Sequence, residues 1–202
     1  MFLTPGCEHH QALKLRYAPH PEKIFSPAKI AVVPATVPND LDLGAVFDPA
    51  GYRDARFFVP DLGVQVANLL MRSLADAGLQ PVPIASAPAD GDLPMGIDFV
   101  IEATVEQLRC VKRFVPEAAE VHPRFILSAQ AQMHFKLFGR GGELYSVTEF
   151  GEVREPPYIT DSDNRAPVLS EPGDALSAVI IQAITRLLSD SGFRQALPNY
   201  RS

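Results

Sequence analysis

From Phe125 to Leu137 every second residue is apolar: Phe125, Leu127, Ala129, Ala131, Met133, Phe135 and Leu137 alternate with Ser128, Gln130, Gln132, His134 and Lys136. Period two with one apolar face predicts a strand buried on one side. Gly139-Arg140-Gly141-Gly142 then supplies the positive φ angles of a turn. A strand over roughly 144–153 returns through Tyr145 and Val147. Upstream, Phe99, Ile101, Ala103 and Val105 share one face of another strand. The apolar phase then moves to Leu108 and Cys110, which predicts a bulge. Ile30-Ala31-Val32-Val33 is stopped by Pro34 and Pro38, so that strand is expected to be short or to lie at an edge. Residues 82–84 add a minor strand that Pro83 keeps from a central position.

Two stretches instead follow the three-and-four spacing of a helix with one buried face. Leu62, Val66, Leu69, Leu70 and Leu74 follow Asp61, the expected N-cap, and precede Gly78, the expected stop. Leu176, Val179, Ile180, Ala183, Ile184, Leu187 and Leu188 lie between Asp174 as cap and Gly192 as stop. Proline draws the same boundaries. Of the 19 prolines none falls in 61–80, 95–115, 124–155 or 173–197, the windows where ladders and helix interiors can form.

The order is strand, helix, minor strand, three meandering strands, helix. It predicts an α+β fold: a two-layer sandwich, a largely antiparallel sheet of about four strands with two amphipathic helices on one face. Residues 27–197 form the expected single domain, 1–26 an N-terminal tail or tether, and 198–202 a C-terminal tail. Three connections are long: 38–60, 115–123 and 154–173. If the first strand runs parallel to the first and third meander strands, all three emerge at one end of the sheet. Phe47, Tyr52, Phe57, Phe58, Tyr158 and Ile159 would then form an interaction rim. The alternative is that Phe57 and Phe58 staple the helix start and the loops merely cover the core.

Composition narrows the function more than it names it. The 202 residues are 47% hydrophobic and 21% charged, with a formal charge of −6. That suits a packed core and gives no basic excess for nucleic acid. No apolar run is long enough for a membrane-spanning helix. Cys7 and Cys110 make neither a disulfide framework nor a four-ligand zinc site.

Cys7-Glu8-His9-His10 puts four ligand types in a row, yet adjacent residues seldom close on one ion, so no metal is expected. Asp161-Ser162-Asp163-Asn164 begins like a calcium loop but lacks its later glycine and glutamate. The glycines at 139–142 sit between strands, not before a helix, which rejects a nucleotide fingerprint. His134 and His122 have no nucleophile or carboxylate at a telling offset, and Glu102 and Glu106 fall on the face opposite Phe99 and Ile101, by default a solvated one. The residues therefore predict no enzyme and no cofactor.

The run Ala28-Lys29-Ile30-Ala31-Val32-Val33-Pro34, the helix ending at Gly78, the strand Asp98-Phe99-Val100-Ile101-Glu102-Ala103-Thr104-Val105, the glycine turn and the closing helix together form a familiar cadence. It resembles small Gram-negative envelope lipoproteins: the YajG-like group, the auxiliary lipoproteins of lipid-transporting ABC systems and the lipopolysaccharide-assembly lipoprotein. The resemblance covers roughly 28–192 and implies a lipid-bearing cysteine. Leu3-Thr4-Pro5-Gly6-Cys7 is similar to a degenerate lipobox, so Cys7 is the expected attachment point, with a signal segment expected to begin upstream of Met1.

The implied function is a non-enzymatic periplasmic accessory or assembly factor, held at the outer membrane if Cys7 is lipidated. Its partner would be another envelope protein, in a process such as lipid transport. The alternative is a periplasmic binder of a small apolar or lipid ligand in a helix–sheet groove. A third reading is a cytoplasmic enzyme built from scattered residues such as His134 and Glu102.

Overall fold

The structure is a computed structural model that describes residues 9–19, 23–24, 26–48, 50–88, 93–115, 124–154, 158–159 and 171–197, with backbone alone at 115, 124, 158 and 159. In chain order the elements are β1 (His9–Ala12), β2 (Lys29–Val32), β3 (Gly44–Phe47), β4 (Arg53–Phe58), α1 (Leu62–Asp76), β5 (Gln80–Pro83), β6 (Phe99–Val115), β7 (Arg124–Gly139), β8 (Gly142–Arg154), β9 (Tyr158–Ile159), α2 (Pro172–Ser189) and α3 (Ser191–Ala196).

The long meander β6–β7–β8 is antiparallel throughout, closed between β7 and β8 by the tight turn at Arg140-Gly141. The bulge lies at Glu106: Val105 faces Met133 on β7, whereas Gln107 faces Gln132. One unpaired residue resets the pleat, so Leu108 and Cys110 rejoin Phe99, Ile101, Ala103 and Val105 on the buried side. Beside the other edge of β6 the chain runs parallel to it twice. β2 pairs with its start (Ile30 with Phe99) and β3 with its end (Gly44 with Cys110), with a bridge between Thr36 and Thr104 on the way. Gly44 takes φ +93°, and a Cβ there would stand 1.8 Å from the Cys110 carbonyl oxygen, so only glycine brings the two backbones this close.

The sheet is α+β as expected, but larger and less antiparallel than the pattern predicts. The described residues form nine strands. β1–β4, β2–β5, β2–β6 and β3–β6 are parallel; β3–β4, β6–β7, β7–β8 and β7–β9 are antiparallel. The expected loop over 38–60 holds the hairpin β3–β4. β2 is short, yet it is internal, between β5 and β6.

The expected tail over 1–26 is also corrected for its described part. β1 pairs with β4, and Leu13, Leu15 and Ile24 are buried in the core. The Leu15 amide donates to Gln65 Oε1 (3.0 Å) and the Arg16 amide to Ser177 Oγ (2.8 Å), tying this segment to both long helices.

α1 and α2 cover one face of the sheet, α2 over β6–β8 and α1 beside β2 and β5. The core joins Phe135, Leu137, Met133 and Leu127 of β7 to Leu176, Val179, Ile180 and Ile184 of α2 and to Val66, Leu70 and Leu74 of α1. Each such side chain contributes about 1.5–3 kcal/mol by burial.

The helix ends differ in part from expectation. Gly78 closes α1 at φ +95°, with the Leu79 amide donating to the Leu74 carbonyl. Asp61 stands at the N-cap, but its side chain makes no capping bond. Asp174 lies inside the first turn of α2, where it pairs with Arg16 at 3.6 Å. α2 stops at Ser189, and Gly192 belongs to α3, whose cap is Asp190.

The opposite face is not uniformly open. At the β2–β6 end Ala31, Ile97 and Val100 form a second buried cluster, with Ile84, Leu93 and Phe138 against it. Towards the other end, where β3 and β6 finish and β7 begins, no helix among the described residues covers the outer face.

Candidate functional site

β2, β6 and β8 run in one direction, the condition under which the sequence gathers its rim at one end. Phe47 ends β3 there, opposite Arg113 of β6, and Tyr52 follows at the hairpin tip, 74% exposed. The tip is tied by Asp48, whose side chain accepts from the Tyr52 amide at 2.8 Å. The β9 backbone, Tyr158–Ile159, pairs with Phe125 and Arg124 at the same end. Phe57 and Phe58 do not join them, because β4 carries them back along the sheet. Phe57 is 5% exposed, a core residue, and Phe58 is turned outward beside His10. The rim is thus smaller than predicted, and Cys7 lies outside the described residues.

Beneath that end, on the face that no described helix covers, is a hollow of about 470 Å³. Its floor is set by register. Ser128 of β7 lies directly opposite Val111 of β6 and Arg154 of β8. Arg109 and Arg113 flank Val111 two residues either way on the same face, so they stand diagonal to Ser128, roughly 7–8 Å off. Three exposed arginines therefore surround one serine, with Gln130 and Glu152 in the next row and Val111 and Ile126 as the apolar floor. The Arg113 guanidinium also lies 5.6 Å from the centre of the Phe47 ring, joining the hollow to the rim. Among the described residues none of the three arginines, nor Glu152, takes part in an ion pair. Sequence reading missed this set because its members are spread over three strands. Their one local signal is the phase after the Glu106 bulge, which turns Arg109 and Arg113 outward.

Two further hollows open elsewhere on the surface. One, about 500 Å³, lies by His10, Asp40, Asp42, Arg53 and Phe58; the other, about 200 Å³, lies by Thr36, Ser86 and Glu102. None of the three is placed between the helices and the sheet.

His134 bridges Thr148 (Nδ1 to Oγ1, 3.0 Å) and Ser146 (Nε2 to Oγ, 3.2 Å) on β8. Glu102 sits on β6 opposite Lys136, one diagonal step from His134. Glu106 accepts from Gln132 Nε2 at 2.6 Å, and His122 lies outside the described residues. Cys110 is fully buried, and burial pushes its thiol up to about 12 against the weaker opposing pull of Lys112. Among the described residues no three His, Cys, Asp or Glu side chains are grouped to hold a metal ion. No helix among them is long and apolar enough to cross a membrane.

Another polar cluster ties α3 to β8. Asp190 Oδ1 accepts from the amides of Gly192 (2.7 Å) and Phe193 (3.0 Å). The Tyr145 hydroxyl donates to the same carboxylate, chiefly responsible for holding it below the usual aspartate range. Burial and that bond push the Tyr145 hydroxyl up, while burial and nearby Asp190 raise Glu149. This cluster anchors a helix end.

The fold is shared with a DUF330-family protein of Xanthomonas campestris. The overlap has a TM-score of 0.53 at 15% identity and covers 89% of this chain and 91% of that one. A neuraminyllactose-binding hemagglutinin homologue from Helicobacter pylori overlaps at TM-score 0.46 and 8% identity, over 92% of this chain and 95% of that one. A minor lipoprotein from Acinetobacter baumannii does so at 0.35 and 13%, over 88% and 99%. No protein-family model and no curated protein sequence matches the chain.

Proposed function

We propose that this chain is a non-enzymatic cell-envelope lipoprotein, an accessory or assembly factor that holds another envelope component at the free end of its sheet. The observation that carries this reading is the division of labour between the two faces. The helix-covered face is filled by interdigitated side chains such as Phe135, Met133, Val179 and Ile184, whereas the hollows and the exposed Tyr52 lie outside. The likeness of Leu3–Cys7 to a lipobox and of the whole sequence cadence to envelope lipoproteins supports the envelope location. Lipid transport is the process that the resemblance favours.

The polar groups also favour recognition over chemistry. Cys110 is a buried thiol held in its protonated form. His134 meets the Thr148 and Ser146 hydroxyls with no carboxylate hydrogen-bonded to its ring among the described residues, so the third group that would orient a base–nucleophile pair is missing there.

The test is metabolic labelling of the full gene product with an alkyne fatty acid in a Gram-negative host, followed by membrane fractionation. The expected result is label and outer-membrane recovery that Cys7→Ser abolishes. Absence of label, or label unchanged by Cys7→Ser, overturns the lipoprotein assignment.

A further inference from the structure

We propose that the hollow centred on Ser128 binds a phosphoryl group, specifically a phosphomonoester. The inference concerns the protein's own surface and does not depend on lipid at Cys7.

Arg109 and Arg113 of β6 and Arg154 of β8 flank Ser128 on both sides and line one hollow, because the β6–β7–β8 register places them around it. A carboxylate offers two oxygens in a plane. A phosphoryl group offers three around an axis, the number of guanidinium forks here, and arginine is the side chain that bonds such oxygens in pairs. The charge also fits. Three arginines against Glu152 leave an excess near two, matching the charge of about −1.5 to −2 that a phosphomonoester carries at neutral pH. The Ser128 hydroxyl at the centre is a further donor, and Glu152 and Gln130 in the adjoining row can accept from hydroxyls on the body that bears the phosphate.

Among the described residues no ion pair neutralises the three arginines, and only Arg113 has a further contact, with the Phe47 ring. All three arginines are exposed on the face that no described helix covers, and their directly opposed partners, Gln130, Ile126 and Ser128, give none of them a counter-charge. It is also local. The chain as a whole carries −6, so a positive hollow focuses anions at one point instead of coating the molecule.

The experiment uses the full ¹⁵N-labelled protein with two probes: inorganic phosphate against chloride at matched ionic strength, and phosphatidylcholine vesicles with and without phosphatidic acid. Arg109→Gln, Arg113→Gln and Arg154→Gln are compared with Arg140→Gln, at the turn on the opposite end. Melting without phosphate verifies that each variant is folded. The expected result is phosphate-dependent shifts at the Ser128, Val111 and Arg154 amides, with affinity falling about tenfold in each hollow variant and unchanged in Arg140→Gln. Response to both probes assigns the site to the phosphoryl group itself; response to vesicles alone assigns it to a lipid-borne phosphate. Binding of neither probe, shifts located elsewhere, or equal loss in Arg140→Gln overturns the proposal.

Discussion

Gly151 of β8 lies so close to α2 that a Cβ on it would stand 1.9 Å from the Val179 carbonyl oxygen. The obstacle is helix backbone, not a flexible side chain, so relief requires the whole helix to lift from the sheet. Gly151→Ala is therefore expected to destabilise the protein by at least about 1–3 kcal/mol, the range of overpacked cores. Urea unfolding of the two proteins measures it; equal midpoints would show that α2 is not seated on β8.

Aromatic residues that look alike in sequence should behave oppositely. Phe57 is 5% exposed and Tyr52 74%. Phe57→Ala is expected to cost about 3–5 kcal/mol, whereas Tyr52→Ala stays within about 0.5 kcal/mol. The same unfolding assay separates them, and a large loss from Tyr52→Ala would move the hairpin tip from the surface into the core.

Asp190 carries a pH signature. Its folded pKa is held below the unfolded value by the Tyr145 hydroxyl and the Phe193 and Gly192 amides. Its ionised form therefore contributes stability that is present above about pH 3.9, the ordinary aspartate value, and is lost as pH falls through the lower folded value. Asp190→Ala should cost about 0.5–2 kcal/mol at neutral pH, as for a lost N-cap, and the gap to wild type should narrow in acid. Glu149, raised by burial and by Asp190, has the opposite sign, so Glu149→Gln should not destabilise at neutral pH. Melting curves across pH check both.

Cys110 is fully buried with its thiol pushed up to about 12. In native protein it should resist a thiol reagent and react only as the sheet opens, at a rate that rises with denaturant. Rapid labelling of Cys110 under native conditions would place the end of β6 outside the core.

How much of this is legible beforehand depends on how local each signal is. Phe125–Leu137 announces a one-sided strand, and the move from Val105 to Leu108 announces the bulge, because both are alternation along one segment. β4 reads Arg-Asp-Ala-Arg-Phe-Phe with a single buried residue, so it carries no alternation and passes for a loop. β1, His-His-Gln-Ala, is polar and short. The parallel contacts of β2 and β3 with β6 are set by tertiary packing, not by any spacing in the chain. The arginine hollow lies deepest: Arg109, Arg113 and Arg154 converge only when the register of three strands is known, whereas Phe47 and Tyr52 follow from strand direction alone.

The claim beneath all of this is that the protein works from the outer end of its sheet. Site-specific photo-crosslinking in living cells tests it most directly, with the crosslinker at Tyr52 on the hairpin tip or at Arg140 in the turn at the other end. The account predicts discrete adducts with an envelope component from Tyr52 and none from Arg140. Adducts from Arg140 alone, equal adducts from both, or none from Tyr52 would contradict it.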